Sequence, residues 1–227
     1  MFIDLLLGNQ TSLFDVVIYL LSALAVIFLT MPVHEWAHAF AATKLGDPTP
    51  KFSGRLSLNP FNHIDYFGAL AIILVGFGWA KPVNVNPNYF RNPKRDMAIT
   101  AAAGPLSNLV VAFISLIFFN FFLFLLIVTQ ALFLQYICMF FEYIALINIG
   151  LAVFNLIPIP PLDGSKILAV ILPDRLYYKF MQYERYLYFL LLILIFSDVL
   201  AVPLNNARFT LFNILNYIPS LIFNLLY

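Results

Sequence analysis

The chain has 227 residues, of which 63% are hydrophobic, 17% aromatic and only 10% charged, with a formal net charge of +1. Soluble domains run at about 45–50% apolar and about 25% charged, and a chain of this size cannot hide so much apolar surface from water. A water-soluble fold is therefore excluded, the balanced charge offers no basic face for nucleic acid, and a single cysteine, Cys138, excludes an internal disulfide framework.

The pattern predicts an all-α polytopic membrane protein, since each crossing takes roughly 20 apolar residues. About six hydrophobic helical segments are expected, in one domain over 1–227, with a core at about 12–172 and C-terminal helices at about 185–226. No positive n-region precedes the first segment, because the first Lys or Arg is Lys44, so a secretory signal is not expected. Leu13–Leu45 runs without a loop, with a tilt or kink expected near Pro32. Gly46-Asp47-Pro48 then stops it. Phe52–Leu58 and Val83–Val85 are expected as short β-strands in the loops between the first and third segments. Between them Tyr66–Ala80 is apolar but short for a crossing, so a re-entrant or interfacial segment is expected. Ala98–Val128 and Leu132–Leu156 are two long helices joined by a turn at Thr129-Gln130. A proline break at Pro158–Pro161 leads through a charged connector to the last two segments, Leu187–Val202 and Phe209–Leu226.

Every Lys and Arg except Arg208 falls in two connectors, 44–95 and 166–185. The positive-inside rule makes that face cytoplasmic, with the N-terminus outside and the C-terminus inside.

One cluster carries chemistry: His34-Glu35-Trp36-Ala37-His38. Histidines at i and i+4 share a helical face, so both imidazoles can reach one zinc ion, and the glutamate between them can act as general base on the attacking water. Counted from Lys44, His38 lies about 9 Å and His34 about 15 Å along the helix. Ionisable groups at such depth are costly and usually functional. A catalytic zinc takes a third protein ligand, for which Asp163, Glu142, Asp198, Asp15 and His63 are the candidates. Asp15 and Asp198 belong to the opposite face. Glu142, near mid-span, is the serious rival. Asp163 has the better context, because it follows Asn155-Leu156-Ile157-Pro158-Ile159-Pro160-Pro161-Leu162 on the side of the histidines. Broken backbone at membrane depth is tolerated only where it is covered by protein or lines a cavity.

HEWAH in a membrane helix followed by NLIPIPPLDG resembles the site-2 protease family of intramembrane zinc metalloproteases. GRLSLNPFNHIDYFG, GWAKPVNVNP, FRNPKRDM and AAAGPLSN between them resemble its compact prokaryotic branch, over residues 12–172 and with no room for a PDZ insertion. The resemblance implies His34, His38 and Asp163 as ligands of one zinc ion per chain, Glu35 as catalytic base, and Asn155 as a residue that helps hold the substrate. It implies transmembrane proteins as substrates, in a prokaryotic cytoplasmic membrane. Two other classes stay open: a catalytically idle zinc-binding relative, and a transporter, which predicts paired broken helices in two related halves. The small residues of Ala101–Asn108 are expected to let helices approach closely, packing being the expected role and a cavity-facing Asn108 the alternative. His63 is expected to be structural.

Overall fold

The computed structural model describes residues 12–75, 78–197 and 199–225. Eight helices organise them: α1, Leu13–Lys44; α2, Tyr66–Val75; α3, Pro93–Thr129; α4, Leu134–Asn155; α5, Asp163–Ile171; α6, Asp174–Gln182; α7, Glu184–Phe196; and α8, Ala201–Asn224. Three of them, α1, α3 and α4, are long and apolar enough to cross a membrane. The chain is an integral membrane protein.

Helix α1 starts on a capping box between Ser12 and Asp15 and ends with Gly46 at φ +112°, a conformation that favours glycine. Its middle, Val26–Thr30, is a π turn, in which the Met31 N–H reaches back to the Val26 carbonyl. Pro32 follows at once and cannot donate, so the irregular turn sits where the kink is expected. The upper half of α1 packs on α4 through Tyr19, Ala23, Val26, Ile144, Ile147 and Leu151, and the lower half packs on α3. Helix α3 is the hub, meeting α4 over the longest interface and also holding α5 and α8. It closes at Gln130, whose φ of +55° makes the tight turn into α4.

Tyr66–Ala80 turns back on itself. Helix α2 has only ten residues, and beyond it the Lys81 N–H donates to the His63 carbonyl at 2.8 Å. The returning limb lies against α2 at Gly68 and Gly78, where an added Cβ would strike the Trp79 and Gly68 carbonyls. Tyr19 donates its hydroxyl to the Ile72 carbonyl at 3.1 Å and pins this hairpin to α1.

The two expected strands are a correction: among the described residues there is no strand. Phe52 closes a single helical turn, Thr49–Phe52, and Gly54 at φ +69° bends the chain away. Val83–Val85 lies between Pro82 and Pro87, and its loop is tied by the Asp47 carboxylate, which accepts from Asn86 N–H at 2.7 Å and Thr49 N–H at 2.9 Å. With proline on both sides and no partner strand, no ladder forms. The connector expected after the proline break is mostly helical, as α5 and α6. The last break falls near Ser197–Leu200 rather than at 203–208, because Pro203 sits in the first turn of α8, where a missing N–H costs nothing.

Candidate metal centre

His34 and His38 both project from the lower half of α1 toward α3, and Glu35 lies beside them. All three are buried, at 6–8% exposure, and their donor atoms lie within 4.8 Å of one another. The Nε2 atoms of the two imidazoles are 3.0 Å apart. Asp163, the first residue of α5, reaches the same point, with Oδ2 3.1 Å from His38 Nε2 and 3.5 Å from His34 Nε2. The proline run brings it there: α4 ends at Asn155, the chain turns over Leu156–Leu162, and α5 begins directly against α3. Gly164 makes the turn fit, since a Cβ there would collide with the Leu156 and Ile157 carbonyls.

Two features fix the imidazoles. His38 Nδ1 lies 2.7 Å from the Thr100 carbonyl of α3, an acceptor, which assigns the proton to Nδ1 and the lone pair to Nε2. Gly104 lies flat against both rings: a Cβ there would stand 2.6 Å from His34 Cε1 and closer still to His38 Nε2. The small-residue run Ala101–Asn108 therefore serves close packing, and the partner it packs on is the histidine pair.

The donor set fits a metal ion. The His38 lone pair, the facing His34 Nε2 and an Asp163 oxygen converge with too few protons to bridge them all, and His34 Nδ1 is buried with no partner among the described residues. A cation satisfies all three at once. Zn–N distances of about 2.0–2.1 Å in a tetrahedron put neighbouring donors about 3.3 Å apart, the spacing these atoms already have. Asp163 is itself buried, with Oδ2 turned to both Nε2 atoms. Lys166 Nζ faces its other oxygen at 3.5 Å.

The centre opens on a cavity of about 300 Å³. The returning limb after α2 forms one wall through Gly78–Ala80, Pro82, Val83 and Val85, α3 and α4 contribute Asn108 and Asn155, and Tyr188, Leu191 and Ile195 of α7 close another side. Asn155 donates Nδ2–H to the Leu151 carbonyl at 3.0 Å. The remaining candidates lie elsewhere. Glu142 is thirteen residues before Asn155 on α4, about 20 Å along the helix. Asp15 caps the far end of α1. His63 is fully buried, with Nε2 2.7 Å from the Ser57 carbonyl, and Asp198 lies outside the described residues. Sequence reasoning missed the Thr100 carbonyl and the α7 wall. A main-chain acceptor has no residue signature, and the apolar run of α7 reads equally as lipid-facing.

A buried donor set on a membrane helix fits a metal ion, and the comparisons supply the class, the membrane metalloproteases. The profile of Peptidase family M50 matches residues 123–197. The chain is 38% identical over 193 residues to "Putative zinc metalloprotease YwhC" of Bacillus subtilis (strain 168), covering 80% of this chain and 85% of that protein. It is 30% identical over 144 residues to "Putative zinc metalloprotease Rip2" of Mycolicibacterium smegmatis (strain ATCC 700084 / mc(2)155), covering 60% of this chain and 51% of that protein. No solved structure matches it. The chain belongs to peptidase family M50, the site-2 proteases, and is an intramembrane zinc metalloprotease.

Proposed function

We propose that this protease hydrolyses peptide bonds within or beside the transmembrane segments of other membrane proteins, with His34, His38 and Asp163 holding one zinc ion and Glu35 as general base. The observation that carries the assignment is the convergence of three donor atoms from two separate parts of the chain, within 3.5 Å, beside a buried carboxylate in one cavity.

His34, His38 and Asp163 would hold the zinc, which would supply Lewis-acid polarisation of the scissile carbonyl and a lowered pKa of the attacking water. Glu35, which has no hydrogen-bond partner among the described residues and lines the cavity, takes the proton of that water and then gives it to the leaving amine. The Thr100 carbonyl keeps His38 in the tautomer that offers Nε2 inward. Asn155, with Nδ2 engaged on its own helix, offers its oxygen to the substrate. A helical substrate has its carbonyls already bonded, so the segment to be cut unwinds before it enters.

Four crossings fit this reading, α1, α3, α4 and α8, with the α2 hairpin dipping in and returning and the thirteen-residue α7 staying beside the cytoplasmic end of α4, where Leu191, Ile195 and Leu200 pack with Phe154 and Leu162. The start of α1 is outside, and α8 ends there too, contrary to the sequence expectation, because it runs parallel to α3 with Asn216 on Asn120 and Phe223 on Phe124; the membrane is the prokaryotic cytoplasmic one. Cysteine labelling should reach positions 94 and 179 from the cytoplasm and 130 from outside. Lipid and transmembrane substrates are the partners, and nucleic acid is not.

The test is Glu35→Gln, co-expressed with single-span membrane proteins alongside the wild type. It keeps shape and hydrogen bonding but cannot take the proton. Zinc content should stay unchanged while cleavage falls at least about 100-fold, the lower end of general-base contributions. Wild-type cleavage would put the base elsewhere, and lost zinc would make Glu35 a ligand.

A further inference from the structure

The asparagines of α3 and α4 behave in two ways. Asn120, Asn148 and Asn155 each fold Nδ2–H back onto the carbonyl four residues earlier, at 2.8, 2.9 and 3.0 Å. This is the ordinary way to quieten the amide donor at membrane depth, and it leaves only the Asn148 Oδ1 buried without a partner among these three. Asn108 does not do it. The carbonyl four residues before it, that of Gly104, accepts the Ser107 hydroxyl at 2.7 Å instead. Neither Nδ2 nor Oδ1 of Asn108 has a hydrogen-bond partner among the described residues, although the side chain is 1% exposed. A buried donor and a buried acceptor left unpaired on one group are strongly disfavoured in a finished fold. They mark a place where something else completes the bonding.

The position says what that is. Asn108 lines the same cavity as Glu35, His34, His38 and Asp163. It is four residues from Gly104 and so on the same face of α3, one turn or about 6 Å beyond the glycine that lies against both imidazoles. Thr100 meets His38, and Gly104 meets both His38 and His34. Asn108 therefore continues the row past His34, on the side of Met31, which also lines the cavity.

We propose that Asn108 is a substrate-positioning residue that pairs with the main chain of the polypeptide being cleaved, Nδ2–H donating to one peptide carbonyl and Oδ1 accepting from a peptide N–H. A primary amide carries the same donor and acceptor as a peptide group. It recognises backbone whatever the side chains, provided that backbone has given up its helical hydrogen bonds. An unwound segment has peptide groups that need partners away from water. This rests on the peptidase reading above and deepens it, by making extended main chain the feature the cavity selects.

The experiment uses the full chain, zinc-loaded in detergent, with the unstructured polypeptide β-casein as probe and Glu35→Gln as the control. Asn108→Leu removes both polar ends at similar volume, and Asn108→Ala covers a failure of leucine to fit. The expected result is unchanged zinc content, a thermal midpoint equal to or above that of the wild type, and kcat/KM lower by about ten-fold through a raised KM, the size of one or two lost hydrogen bonds. Wild-type kinetic constants in either variant would overturn the proposal. So would a lowered midpoint or lost zinc in both, since Asn108 would then be structural. If the wild type cleaves no better than Glu35→Gln, the peptidase reading fails and this inference falls with it. If the wild type cleaves and Asn108→Leu equals it, this inference alone falls.

Discussion

Two stretches of non-helical backbone meet at the cavity, one at 78–81 and one at 156–162, and they are built by opposite means. The first is a return limb held by glycine. Gly68 and Gly78 let main chain lie directly on main chain, and the Lys81–His63 hydrogen bond closes the base. The second is a proline turn, in which Pro158, Pro160 and Pro161 remove donors and Gly164 lets α5 start beneath the Leu156 and Ile157 carbonyls. The first leaves backbone and apolar side chains facing the cavity, whereas the second delivers a carboxylate to the histidines. Irregular backbone in such a protein must be covered. Here covering it produces a wall in one place and a carboxylate beside the histidines in the other.

Asp163→Ala should separate the two most sharply. The proline turn loses what it delivers, so zinc content should fall to a small fraction and cleavage to background, measured by metal analysis and substrate assay. Retained zinc would mean that the turn is only a wall, like the limb. Gly164→Ala should come next. Its Cβ forces α5 away from the Leu156 and Ile157 carbonyls, at about 1–3 kcal/mol, and carries Asp163 with it, so the thermal midpoint and zinc affinity should drop together. Gly78→Ala makes a similar collision, with the Gly68 carbonyl and with Ile72 Cγ1 at 2.8 Å. It should lower the midpoint by a comparable amount while zinc content stays at the wild-type level. Loss of zinc there would show that the limb supports the metal after all. The smallest effect belongs to Glu142→Gln, far along α4: zinc and cleavage unchanged, and stability within about 0.5 kcal/mol.

The legibility of the molecule divides along the same line. Helices α1, α3 and α4 were readable because twenty or more apolar residues admit few other structures, and the His34–His38 spacing was readable because it names one helical face. The proline turn announced itself through residues that cannot continue a helix. The limb did not. Val83–Val85 has the composition of a strand, yet strand formation depends on a partner, and local composition carries no information about one. The boundary between α7 and α8 was misplaced for a related reason. Asn205 and Asn206 look like a connector, but both are exposed on the helix surface, where polar side chains cost a helix little. Zinc itself was legible from the motif, while the Thr100 carbonyl that orients His38 could be seen only after folding.

The π turn at Val26–Thr30 sets the angular phase of α1. Above it, Tyr19, Ser22 and Ala23 point into the bundle, and below it His34, Glu35 and His38 do. The turn holds one residue more than an α-turn of the same span, as if a single amino acid had been let into the helix. Each residue advances the helix by 100°. If Val26–Thr30 were regular α-helix, the lower half would be rotated by up to that angle relative to the upper. Either Tyr19 would leave its place over the α2 hairpin, or the imidazoles would swing away from Asp163. The chain's chemistry thus hangs on a count: one inserted residue lets a single helix serve two partners at two azimuths.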